Sequence, residues 1–185
     1  MGAQDRSRFE PRPAATYPAR QTTENVTVAV DVYQGRDKIK SAFGKTDLEK
    51  LGVLPVLVII ANENDHVLQL DRMKVQLITS DRQGVDPLPV EDVLRPERVT
   101  RPDFVPRTSP IPGLGRGKRQ PAGGEVDERA FVAPVVAARG SAHGFFYFRL
   151  GKGPERLAGA KLYLAGIRHA RTGRELLYFE IDWNR

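Results

Sequence analysis

The chain reads as an all-β protein, and three observations predict it. Four runs in the last sixty residues, 131–138, 144–150, 160–167 and 174–183, are short and rich in Val, Leu, Phe and Tyr, and each is bounded by Gly, Pro or an Arg-Thr-Gly-Arg turn. Residues 25–33 alternate, with Val26, Val28, Val30 and Val32 on one face and Thr27, Ala29, Asp31 and Tyr33 on the other. Residues 54–62 are apolar without interruption until Asn62, as expected of a strand buried on both faces.

The remaining elements follow from turn chemistry. Residues 37–43 and 47–51 predict short helical turns, with Asp47 as N-cap and Gly52 just past the end. The turn-formers 62–65 separate 54–62 from strands at 66–70 and 73–80, and Asp81-Arg82-Gln83-Gly84 closes the second of these. Residues 89–94 allow one helical turn, which ends before Pro96. Seven or eight strands suit two packed sheets, so the predicted fold is an immunoglobulin-like β-sandwich of about seven to eight strands with a long Pro/Gly-rich basic insertion.

Residues 1–24 hold Pro11, Pro13 and Pro18 among scattered charges without a hydrophobic period, and predict a disordered N-terminal arm. Residues 25–185 predict a single domain interrupted by a flexible loop at 96–124, rich in Pro and Gly. Two domains joined by that loop is the rival organisation. It would leave about sixty residues to fold with neither disulfide nor metal, which is marginal.

The chain of 185 residues has a net charge of +6 and no cysteine, which removes disulfides, thiolate metal sites and cysteine nucleophiles from consideration. The charge is localised. Arg95, Arg98, Arg101, Arg107, Arg116, Lys118 and Arg119 face only Glu97 and Asp103 within 95–119, a net of +5. The longest apolar run, 53–61, contains Pro55 and is of strand length, too short to span a bilayer as a helix. The Met1-Gly2 opening is read as standing in place of a removed signal peptide.

Two stretches carry a resemblance. The first comprises Phe43-Gly44, Leu48, Gly52, Pro55-Val56, Ile60 and Asn62, running on to Leu70. The second comprises Arg139-Gly140-Ser141-Ala142-His143-Gly144-Phe145-Phe146-Tyr147-Phe148 and Gly159-Ala160-Lys161-Leu162-Tyr163-Leu164. Together they resemble the uncharacterised immunoglobulin-like (telokin-like) domains of bacterial envelope proteins and lipoproteins, over about 110 residues. The resemblance implies a non-enzymatic accessory protein of the periplasm or cell envelope. It supplies no catalytic residues, and the basic insertion lies outside it.

Motifs that suggest chemistry have simpler explanations. Gly44-Lys45-Thr46 lacks the phosphate-loop glycine five residues upstream, where Ile39 stands. Gly113-Leu114-Gly115-Arg116-Gly117 has neither the preceding strand nor the following helix of a dinucleotide fingerprint. His66, His143 and His169 have no HxH or HExxH partner. A zinc site could still assemble from two of them plus a carboxylate, and a hydrolase could pair one with Ser80 or Ser141, but exposed turn histidines are the simpler reading. No pair among Asp31, Asp65, Asp71, Asp81, Asp86 and Asp182 stands out for acid–base work. Phe145-Phe146-Tyr147-Phe148 raises base stacking, yet alternation sends Phe145 and Tyr147 to one face and Phe146 and Phe148 to the other, as core packing requires.

The expectation is therefore a non-catalytic module, without cofactor or metal, that binds a protein partner in an envelope assembly through an exposed strand edge or loops. The alternative is a polyanion-binding protein that meets nucleic acid, anionic lipid or a cell-wall polymer through Arg95, Arg98, Arg101, Arg107, Arg116, Lys118 and Arg119.

Overall fold

Val26–Val32 (β2) and Val53–Asn62 (β3) pair antiparallel over seven residues, from Val26 opposite Asn62 to Val32 opposite Val56. They are the centre of a first sheet whose flanks are Arg20–Thr23 (β1) and Ser141–Arg149 (β8), in the order β1-β2-β3-β8. The computed structural model of the chain describes residues 9–95, 124–150 and 157–184, and within these eleven strands form three antiparallel sheets with only short helices between them. A second four-stranded sheet consists of Lys74–Ile78 (β5), Gly84–Val85 (β6), Lys161–Ala165 (β9) and Phe179–Asp182 (β11), in the order β11-β9-β5-β6. The third joins three two-residue strands: Leu68–Gln69 (β4) lies between Val135–Val136 (β7) and Arg168–His169 (β10).

The first sheet is buried on both faces, which is why β3 reads as unbroken apolar sequence. Its Val28, Val30, Val56, Val58, Ile60 and Phe148 pack on Val75, Leu77, Leu162, Leu164, Phe179 and Ile181 of the second sheet. Ala29, Leu57, Ile59, Phe145 and Tyr147 point the other way, beneath a layer made by Arg36–Phe43 (α1), Val90–Val93 (α2) and Glu125–Arg129 (α3). Period-two alternation explains the split of Phe145 and Tyr147 from Phe148. The Tyr147 hydroxyl, buried in the second layer, donates to the Val126 carbonyl at 2.8 Å. Both apolar clusters draw on residues before and after the basic insertion, and β3 and β8 pair over nine residues across it.

Several boundaries differ from the sequence expectation. Residues 9–24, read as part of a disordered arm, contain a 3-10 turn at Ala14–Thr16 and strand β1, and they bury Ala14, Tyr17 and Ala19. A few apolar side chains hold this segment: Phe9 lies 5.3 Å from the Phe145 ring, and the Arg129 guanidinium lies over Phe9. Sparse anchors of this kind leave no period in sequence. The runs 131–138 and 174–183 yield only β7 and β11, because Pro134 limits the first to two paired residues, and 170–178 wraps through Gly173 at φ +69° before the second. Most of the predicted loop 96–124, namely 96–123, lies outside the described residues; Gly124 begins the approach to α3.

Candidate functional site

Four loops meet at one end of the two sheets, and Asn62 organises them. This residue, 2% exposed at the end of β3, donates from Nδ2 to the carbonyls of His66 (2.8 Å) and Ala137 (3.0 Å), while its Oδ1 accepts from the Asn64 amide. A buried amide with these contacts fixes the 62–66 turn and joins it to the chain leaving β7. Asn64 Nδ2 continues the network to the Glu24 carbonyl in the β1–β2 turn at 3.0 Å. The fourth loop is 168–174, anchored by backbone bonds from Ala170 to Val67 and from His169 to Arg174.

This convergence brings together two histidines that are 103 positions apart in sequence. The His66 and His169 rings lie 4.0 Å apart at an angle of 37°. His169 is buried, which corrects the expectation that the histidines are exposed turn residues; His143 does project outward, from β8. Arg174 Nη2 lies 2.9 Å from His169 Nε2. A guanidinium can only donate, so His169 Nε2 accepts and the proton of the neutral ring sits on Nδ1. Burial, followed by the charges of His66 and Arg174, holds the His169 pKa below its ordinary value, with Glu24 opposing. Arg174 also bridges Glu24 Oε2 at 2.5 Å. Burial raises the Glu24 pKa, but the hydrogen bonds from Arg174 and the Leu177 amide and the charges of Arg174 and His169 bring it below the usual range.

The histidines line an open cleft of about 350 Å³ with Asp65, Arg171, Thr172 and Arg174. Asp65 is paired with Arg139 Nε at 2.8 Å. His66 Nε2 is buried and has no hydrogen-bond partner among the described residues. Two of the three parts of the imagined zinc site do meet, but among the described residues no group of three His, Asp or Glu side chains could hold a metal ion. Ser80 and Ser141 do not line the cleft.

The basic residues singled out in the sequence lie elsewhere. Arg95 closes the described segment after α2, and its guanidinium pairs with Asp92 at 2.7 Å. Arg98, Arg101, Arg107, Arg116, Lys118 and Arg119 lie outside the described residues.

The strand edges are largely covered. Along the outer edge of β8, the Phe131 amide donates to the Phe145 carbonyl and the Leu88 amide to the Tyr147 carbonyl, and Arg149 reaches the carbonyls of Asp92 and Arg95. Gly144 permits this, since a Cβ there would lie 2.4 Å from Phe131 Cα. The edges of β1 and β11 face each other, and Gln21 ties them: its Oε1 accepts from the Glu180 amide and its Nε2 donates to the Tyr178 carbonyl. Among the described residues, the edge of the two large sheets left without a strand partner is the two-residue β6 and the adjoining Lys74–Gln76 stretch of β5.

No family model matches the chain, and no curated protein matches it. Among solved structures, the chain is similar to the yjhA protein from Bacillus subtilis at 12% identity and a TM-score of 0.43, covering 80% of this chain and 79% of that one. An overlap of that size carries no weight for function.

Proposed function

We propose that the chain is a non-catalytic binding module of the cell envelope, an immunoglobulin-like sandwich that takes its partner at the loop end bearing the His66–His169 cleft. The observation that carries this reading is the contrast between covered strand edges and an open loop end. The long strand edges are occupied by backbone and side-chain hydrogen bonds, whereas the loop end presents an open cleft lined by His66, His169, Arg171, Thr172 and Arg174. An occupied edge cannot accept an added strand. Of the two routes considered in the sequence, edge or loops, the loops fit these contacts. The envelope setting rests on the resemblance of residues 43–70 and 139–164 to envelope domains; among the described residues no helix is long and apolar enough to cross a membrane.

The test is site-specific photocrosslinking in the cells that produce the protein, with the reactive side chain placed in turn at Thr172, at Asn64 and, as a control, at Glu180 on β11. The reading expects one protein captured at Thr172 and Asn64 and not at Glu180. Capture at Glu180 alone would move the interface to the second sheet. The alternative, polyanion binding through 95–119, is favoured by that segment's net charge of +5, and it expects no protein at any of the three positions.

A further inference from the structure

We propose that the His66–His169 cleft is a binding site for a single oxyanion group, a carboxylate or a phosphate; the inference rests on the reading that this end of the molecule is its binding face. Its donors come from different loops and point to one kind of ligand. Of the three arginines in 168–174, Arg174 is tied to Glu24 at 2.5 Å and Arg168 to Asp71 at 3.2 Å. Arg171, which lines the cleft, has no partner among the described residues. A guanidinium offers only donors, in a fork that matches two oxygens of one anion. The Thr172 hydroxyl adds a further donor beside it.

The His66 and His169 rings line the same cleft. The carboxylate that also lines the cleft, Asp65, is already matched by Arg139 at 2.8 Å and does not cancel Arg171. At about 350 Å³ the open cleft has room for a side-chain carboxylate or a phosphate monoester.

The experiment titrates the full chain separately with sodium phosphate, sodium acetate and zinc chloride, following the ring nitrogens of the three histidines and the arginine Nε–H groups by NMR. Saturable, single-site shifts of His66, His169 and Arg171 with phosphate or acetate, with His143 unmoved, are expected. The tighter of the two anions identifies the source as phosphate or carboxylate. Arg171→Ser should weaken binding by at least about tenfold without moving Tm, because the native side chain makes no contact that holds the fold. Thr172→Val provides a second variant that should weaken binding by less. Unsaturable shifts, equal affinity in Arg171→Ser, or zinc alone producing the histidine shifts would overturn the proposal. If the anions fail while Thr172 still crosslinks a protein, the anion site is wrong and the binding-end reading stands. If they bind while nothing crosslinks, the anion site is upheld and the protein-partner reading falls.

Discussion

The outer edge of β8 and the loop end around Asn62 are built from similar parts but finished differently. Both are places where sheet backbone runs out of strand partners. At β8 the deficit is closed by the protein itself: Phe131 and Leu88 donate to its carbonyls, and a glycine at position 144 lets the covering segment come into backbone contact. At the loop end Asn62 satisfies the backbone, yet the side chains above it leave His66 Nε2 and Arg171 unmatched. Arg149 Nε on β8 is likewise buried without a partner, so what separates the two regions is the cover over the edge and the open cleft at the loop end.

Gly144→Ala forces a methyl group to within 2.4 Å of Phe131 Cα, a backbone atom that cannot turn aside. Overpacking of this kind should cost about 3 kcal/mol, and by displacing the cover it should expose the β8 edge and promote self-association. Denaturant titration and light scattering check both parts. A neutral effect would mean that the cover is loosely held.

Asn62→Ala breaks the loop end. It removes donors to the His66 and Ala137 carbonyls and an acceptor for Asn64, leaving buried groups unpaired, at an expected cost of about 2 kcal/mol. The distinguishing readout is the His66–His169 contact, which should loosen in NMR spectra of the folded variant while β8 amides stay unchanged.

Acid should act first on the loop end. The His169 pKa is lowered in the fold, so as pH drops the unfolded chain takes up the proton first. Stability present at neutral pH is therefore lost as pH falls below about 6.5, toward the lower folded value. Glu24, also lowered, contributes above its ordinary 4.5 and is lost later, as pH falls through its folded pKa. Melting temperature should thus be level between neutral and mildly basic pH and decline from about 6.5 downward. His169→Gln should remove the first part of that decline.

How much of this was legible in the sequence depends on the range of the interactions. The alternation of Val26, Val28, Val30 and Val32 and the unbroken run into Asn62 report burial directly, so β2 and β3 could be read within a residue. The order of Phe145 to Phe148 likewise predicted which ring enters which layer. The cleft was not legible, because it depends on the pairing of His66 with His169 across most of the chain, and neither residue has a patterned neighbour. The Arg171-Thr172-Gly173-Arg174 turn was visible as a turn, but nothing local shows that Arg174 is used up by Glu24 and His169 while Arg171 is not. The order of residues 9–24 was missed for a related reason: three buried side chains spread over a Pro-rich stretch have no period.

The smallest expected effect concerns the basic segment. Replacing Arg116, Lys118 and Arg119 with Ser should leave Tm unchanged, since these are charged residues in a Pro/Gly-rich stretch without a hydrophobic period. If the segment binds a polyanion, heparin affinity should fall in the triple variant, and the slope of log affinity against log salt should flatten by about 0.9 for each phosphate-like charge that is no longer neutralised. Partner capture at Thr172 should not change.

Amide hydrogen exchange of the chain, alone and bound to the protein captured at Thr172, locates the interface. Binding at the loop end predicts added protection at 62–67 and 168–174, with β8, β11 and the β5–β6 edge unchanged. Protection concentrated along Lys74–Gln76 and Gly84–Val85, with the two histidine loops exchanging as before, would contradict it and return the interface to a strand edge.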